Sequence, residues 1–284
     1  MASTGTGSSS NSVILDDAAT ELDAGAVAGI LGGLEAFQFE PFFQPIVALA
    51  DGGLIGFEAL ARWRHPQRGL VEPAAFIDIA EANGLIRAID SVILDRAWQA
   101  LEAALEACPR PGPPLLLSVN LSAVNLLDEA ILDRLSALFA SGLGRRTRLQ
   151  FEITETLLIK DKQGAAEIMM RLKAMGVSFA LDDFGTGHSS LVYLHRLPID
   201  CIKIDRSFSE AILISPRSEA IVRSIIGLAR SMALRAVAEG VEEKEVADAL
   251  RTLDCEYGQG LYFGAPVSAG ELVAALEQAR AKRA

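Results

Sequence analysis

The stretch that decides the fold runs from residue 39 to residue 63, FEPFFQPIVALADGGLIGFEALARW. Two β-rich apolar segments, 39–49 and 54–63, are separated only by Ala50-Asp51-Gly52-Gly53. Asp and Gly suit the left-handed backbone of a hairpin turn, and so short a link leaves no room for a crossover helix. The two segments therefore read as antiparallel neighbours. Further along, β-rich segments alternate with longer stretches of helical spacing: LLLSVNL (115–121), RLQFEIT (148–154), VSFALDD (177–183), CIKID (201–205), RAVAEG (235–240) and EYGQGLYF (256–263). Strands joined through helices pack in parallel. Together these segments predict an α/β fold, a TIM-type (β/α)8 barrel with one antiparallel strand supplied by the N-terminal hairpin. An open doubly wound sheet is the alternative.

The helical stretches carry their own signals. In SEAIVRSIIGLARSMAL (218–234), Ile221, Ile225, Leu228, Ala229 and Met232 fall on one face. Ser215-Pro216 and Asp161 read as helix starts, and Gly176 as a helix stop. Residues 1–12, MASTGTGSSSNS, read as a disordered linker or cloning scar, and residues 13–284 as one domain.

Composition narrows the function. Half of the 284 residues are hydrophobic, enough for one large core. The net charge of −11 argues against duplex nucleic acid, whose affinity comes from Lys and Arg on phosphates. No apolar run approaches the roughly 20 residues of a membrane helix, and the start lacks the pattern of a signal peptide. Cys108, Cys201 and Cys255 are scattered and odd in number, which suits reduced, packed thiols in a cytoplasmic protein.

The polar residues at or near the strand ends carry the chemistry: Gln44, Glu58 with Arg62, Asn120, Glu152, Asp182 with Asp183, Lys203, Glu239 and Gln259. Any one of them alone is unremarkable. A barrel, however, gathers the C-terminal ends of its strands at a single mouth. The set is rich in carboxylates and amides, while His65, His188 and His195 lie away from these ends. That composition disfavours zinc and favours Mg²⁺ or Mn²⁺. Several carboxylates at one mouth need cations between them, and more than one metal is the natural resolution. Two such ions suit in-line phosphodiester hydrolysis by an activated water, with Lys203 and Arg62 available to phosphate oxygens. No GxSxG elbow or Walker A loop is present.

The blocks FFQPIV, GFEALARWRHP, SVNLS, FEITE, ALDDFGTGHSSL, LPIDCIKIDRSF, AVAEGVE and GQGLYF stand in this order along the chain. The series resembles the EAL domain family of bacterial cyclic di-GMP phosphodiesterases, from about residue 35 to about residue 275, with the family name spelled by Glu58-Ala59-Leu60. The resemblance implies a barrel with one antiparallel strand and hydrolysis of cyclic di-GMP to linear 5′-pGpG. It implies two Mg²⁺ or Mn²⁺ ions, with Ca²⁺ inhibitory. Glu58, Asn120, Glu152 and Asp182 match ligands of the first metal. Asp182 would bridge to the second, where Asp183 binds and where Glu239 meets the metal or its water. Lys203 matches the lysine that positions the attacking water and can deprotonate it. Gln259 matches a residue that orients water, and with Lys203, Glu58 and Glu239 completes the catalytic group. Gln44, Leu60, Arg62 and Asp205 match substrate contacts. Glu155 matches the anchor of the DDFGTG loop, and Glu242 another supporting acid.

The same resemblance implies a homodimer and a sensory or GGDEF module in a longer parent chain. Departures are small: His188 stands where the family usually has Tyr, His195 where Lys or Arg is frequent, and FFQP where YYQP is common. None removes a ligand; His188 reads as a tolerated surface change, or as a change in loop packing or a dimer contact. The alternative function is a catalytically weak cyclic di-GMP receptor. A metal-dependent barrel lyase or isomerase stands only if the resemblance is set aside.

Overall fold

The computed structural model describes residues 25–140, 146–154, 162–186, 194 and 197–281. The predicted hairpin forms: β1 (Phe39–Ala48) lies antiparallel to β2 (Leu54–His65), with Gln44 opposite Glu58. Asp51 helps to close the turn, its Oδ1 accepting the Gly53 N–H at 2.9 Å. From β2 a parallel ladder continues through β4 (Leu115–Asn120), β5 (Thr147–Thr154), β6 (Ser178–Phe184), β7 (Cys201–Ile204), β8 (Arg235–Ala238) and β9 (Tyr257–Gln259). β9 then pairs antiparallel with β1 and closes the sheet. The result is an eight-stranded barrel in which β1 alone is reversed. Two short strands the sequence reading missed, β3 (Gly69–Val71) and β10 (Val267–Ser268), pair outside the closed ring with β2 and β1.

Strand alternation gives the wall two different faces. One set of side chains, including Phe57, Leu117, Val119, Phe151, Ile153, Phe179, Ile202 and Ile204, joins the large apolar core together with buried helix residues. Among the latter are Ile89, Ile93, Ala97, Trp98, Leu101 and Leu105 of the helix Ile86–Ala107. Each fully buried large apolar side chain contributes about 1.5–3 kcal/mol. A second, smaller cluster is separate: Ile46, Leu116, Ala180, Cys201 and Val237. Each of these stands two residues from a polar residue of interest, namely Gln44, Ser118, Asp182, Lys203 and Glu239. In a strand such spacing keeps the same face, so the small cluster is the apolar floor on which the polar layer sits.

Close packing around this floor constrains β2. A Cβ on Gly56 would lie 2.0 Å from the backbone oxygen of Leu116, so no other residue fits there without moving β4. On the helices, Ser215 Oγ accepts the Ser218 N–H at 3.2 Å with Pro216 at the first helical position, as the sequence predicts. Gly176, at φ +96°, follows the helix Lys162–Ala174. The buried stripe of the helix Pro216–Ser231 is Val222, Ile225, Ile226 and Ala229. Its centre is rotated from the expected one, and Ile221, Leu228 and Met232 pack partly buried at its margin. Asp161 and the histidines His188 and His195 lie outside the described residues.

His65, expected away from the strand ends, is instead the last residue of β2. Its Nδ1 accepts the N–H groups of Gln67 and Arg68, so it serves the turn into β3. The three cysteines are unpaired and buried. No helix among the described residues is long and apolar enough to cross a membrane.

Candidate active site

The centre of the polar layer is Lys203 on β7, 1% exposed. Its Nζ lies 2.6 Å from Glu152 Oε2, 2.5 Å from Glu239 Oε1, and 3.3 Å from both Glu58 Oε2 and Asp182 Oδ1. These four acids come from β5, the residue after β8, β2 and β6. One ammonium therefore holds four carboxylates supplied by four parts of the wall. Glu58 sits mid-strand rather than at a strand end, because β2 runs on past the segment, Gly56–Ala59, that pairs with β4.

Asp182 and Asp183 present the puzzle of two neighbouring acids on a strand, where successive side chains point to opposite faces. The backbone resolves it. The β6–β7 register shifts between Leu181 and Phe184, and Asp183 adopts φ 52°. That left-handed conformation is uncommon for a residue with a Cβ, and Asp tolerates it better than most. Thr186 fixes the turn, its Oγ1 donating to the Asp183 carbonyl at 2.9 Å. As a result, carboxylate oxygens of Asp182, Asp183 and Glu239 all lie within 4.8 Å of one another.

Electrostatics follow from this crowding. Burial works against the charge on Lys203, but Asp182, Glu152, Glu239 and Glu58 outweigh it and hold the amine well above its usual range. Burial, then repulsion from Glu58, pushes Glu152 well above the carboxylate range. Glu239 is pushed up to about 8 by burial and by Asp182 and Glu58, against the pull of Lys203. Asp183 is raised by burial and by Asp182. Burial also acts to raise Glu58, yet Lys203 and a hydrogen bond from Gln259 leave it lowered. Without added cations, burial and mutual repulsion thus disfavour full ionisation of the layer's acids.

The amides complete the layer. Gln259 Nε2 donates to Glu58 Oε2 at 2.7 Å and to Gln44 Oε1 at 3.0 Å. Its Oε1 is buried and has no hydrogen-bond partner among the described residues. Asn120 Nδ2 donates to Glu58 Oε1 at 3.0 Å. Two residues overlooked in the sequence also belong here: Ser118 Oγ donates to Glu152 Oε1 at 2.6 Å, and Gln150 Nε2 donates to Ser118 Oγ at 3.1 Å. Period-two counting backward from Asn120 and Glu152 would have found both.

The remaining expected residues divide. Arg62 is buried, with Nη2 2.9 Å from Glu72 Oε2 and Nη1 donating to the Ala61 carbonyl at 2.9 Å. Leu60 is half-buried on β2, opposite Phe42. Asp205 caps the short helix Arg206–Glu210, accepting the Ser207 N–H at 3.0 Å. Glu242 is exposed, and its side chain makes no hydrogen bond or ion pair among the described residues. Glu155 lies outside the described residues. Trp63 and Phe57 are packing residues: Trp63 stacks on Phe39 at 5.3 Å, and Phe57 meets Phe43 edge-on at 6.4 Å.

The family model for the EAL domain matches residues 29–266. The chain belongs to the EAL domain family. The EAL domain is 42% identical over 242 residues to the cyclic di-GMP phosphodiesterase NbdA of Pseudomonas aeruginosa, covering 85% of this chain and 30% of that protein. It is 37% identical to the cyclic di-GMP phosphodiesterase RocR of the same organism, covering 85% of this chain and 61% of RocR. Among solved structures, the PaMucR phosphodiesterase in complex with c-di-GMP superposes with a TM-score of 0.79 at 36% identity, covering 87% of this chain and 99% of that one. The chain spans between 27% and 61% of the length of the first curated relatives it matches.

The EAL domain's donor set fits hard divalent cations. Glu58, Glu152, Asp182, Asp183 and Glu239 offer carboxylate oxygens, and Asn120 an amide oxygen, which are ligands that Mg²⁺ and Mn²⁺ prefer. Among the described residues, the excess of acids over the Lys203 ammonium, and the buried Oε1 of Gln259 without a partner, suit further positive or donor groups.

Proposed function

We propose that this EAL domain hydrolyses cyclic di-GMP to linear 5′-pGpG, using two divalent cations, Mg²⁺ or Mn²⁺. The observation that carries the reading is the convergence of four acids on Lys203, with Asp183 beside two of them, in a domain whose relatives NbdA and RocR are cyclic di-GMP phosphodiesterases. Glu58, Asn120, Glu152 and Asp182 would hold one cation, and Asp182, Asp183 and Glu239 the other. When bound, the cations supply Lewis acidity and positive charge for in-line displacement at phosphorus.

The chain's own residues do the rest. Lys203 Nζ, set among Glu58, Glu152, Asp182 and Glu239, is placed to orient the reacting water and to face its developing charge. Gln259 offers to that water its Oε1, which has no partner among the described residues, while its Nε2 holds Glu58 in place. Arg62 presents a guanidinium to a phosphate oxygen. Water adds to phosphorus, the bond to the 3′ oxygen breaks, and the 3′ oxygen takes up a proton. A homodimer and a regulatory module in a longer parent chain belong to the same proposal.

The test is product separation by chromatography after incubating the protein with cyclic di-GMP and Mg²⁺, Mn²⁺ or Ca²⁺. Linear 5′-pGpG is expected with the first two and not with Ca²⁺. Binding of cyclic di-GMP without any linear product under Mg²⁺ or Mn²⁺ would overturn the reading in favour of a receptor.

A further inference from the structure

We infer that Ser118 and Gln150 form a one-way hydrogen-bond chain that fixes the orientation of the Glu152 carboxylate for cation binding, an inference that rests on the metal-dependent reading above. Ser118 is fully buried on β4, and in the strand register it stands between Glu58 on β2 and Gln150 on β5. An amide nitrogen only donates, so the bond from Gln150 Nε2 makes the Ser118 oxygen an acceptor. The single hydroxyl proton of Ser118 is then committed to Glu152 Oε1, 2.6 Å away. The other carboxylate oxygen, Oε2, faces Lys203 Nζ at 2.6 Å. Both oxygens of Glu152 are thus assigned, and rotation of the carboxylate would break a buried hydrogen bond at either end.

The surroundings show that this chain is not incidental packing. The floor beneath the polar layer is otherwise built from Ile46, Leu116, Ala180, Cys201 and Val237. Gln150 stands two residues before Glu152, as members of that floor stand two residues from their own site residues, yet it is a buried amide. Burying an amide and a hydroxyl costs stability unless both are hydrogen-bonded, and an apolar pair would avoid that cost. The chain ends on an acid offered to cations, where outer partners that orient a ligand characteristically act. Ser118 and Gln150 are positioning residues: they act through Glu152.

The experiment titrates Mn²⁺ into cation-free protein by calorimetry, without cyclic di-GMP. Ser118→Ala is expected to weaken Mn²⁺ binding by about 10- to 100-fold. Ser118→Thr, which keeps the hydroxyl, should restore it. Gln150→Leu should weaken binding less, and should add nothing in the Ser118→Ala background, because both act on one carboxylate. Folded Ser118→Ala protein that binds Mn²⁺ within about twofold of wild type would overturn the inference. Should Ser118→Ala fail to fold, Gln150→Leu decides, and unchanged Mn²⁺ affinity there overturns it equally. Wild-type protein that binds no Mn²⁺ would overturn the metal-dependent reading itself, an outcome distinct from an insensitive Ser118 variant.

Discussion

Arg62, buried at the mouth of the barrel, is paired at 2.9 Å with Glu72, whose side chain is 66% exposed. The pairing puts an anion on the guanidinium proposed to receive a phosphate. Glu72 therefore competes with substrate for Arg62. In Glu72→Gln the side chain can still accept a hydrogen bond, but the competing charge is gone. The expected result is a KM for cyclic di-GMP lower by about 2- to 10-fold with kcat little changed, since a partly exposed pair is worth only on the order of 1 kcal/mol. Steady-state kinetics of the two proteins check this; a higher KM in the variant would show that Glu72 orients Arg62 instead of competing for it.

The raised acids of the layer predict an unusual pH dependence. Glu239 is raised to about 8, and Glu152 and Asp183 are raised as well, chiefly by burial. Carboxylates raised in the folded state bind protons there that the unfolded chain has released. Their contribution to stability is complete below the unfolded carboxylate range and is lost as pH rises through their folded values. Cation-free protein should therefore lose stability from about pH 5 to pH 8, as measured by urea midpoints in EDTA. Saturating Mn²⁺ should flatten or reverse that slope, because cations bind the ionised acids and displace the protons.

The sequence made the barrel legible because its hairpin is local. Ala50 to Gly53 cannot span a crossover, so the reversed β1 follows from a link of four residues. The acids at the mouth were legible as a set because a barrel has one mouth. Less legible was anything that depends on register across strands. Ser118 and Gln150 look like ordinary polar residues until β4 and β5 are paired. The bulge that turns Asp183 toward Asp182 and Glu239 depends on how β6 meets β7, and no propensity of Asp encodes that meeting. The pairing of Arg62 with Glu72 depends on β3, a three-residue strand too short to show periodicity. The rotated stripe on the helix Pro216–Ser231 has the same origin: helical spacing identifies a face to within a residue, and contact with the barrel chooses its centre.

The last prediction separates the two roles of the central charge. Lys203 balances Glu58, Glu152, Asp182 and Glu239 in a buried layer, so Lys203→Met removes one ammonium and leaves four acids facing one another. Removing one partner of a buried ionic group costs about 3–5 kcal/mol, because the remaining charge stays uncompensated. The acids can relieve that cost by taking up protons, so the variant should be more destabilised at pH 8 than at pH 5 in EDTA. Mn²⁺ should recover much of the lost stability by replacing the missing charge, yet turnover of cyclic di-GMP should remain abolished, because Mn²⁺ does not replace the donor beside the reacting water. Glu58→Ala should differ: it leaves the Asn120 and Gln259 donors without their acceptor and costs about 1–3 kcal/mol, loses Mn²⁺ binding so that Mn²⁺ restores little stability, and retains the fold. Urea titrations of both variants with EDTA and with Mn²⁺ distinguish these outcomes. Restoration of turnover in Lys203→Met by Mn²⁺ alone would show that Lys203 serves only as a counter-ion.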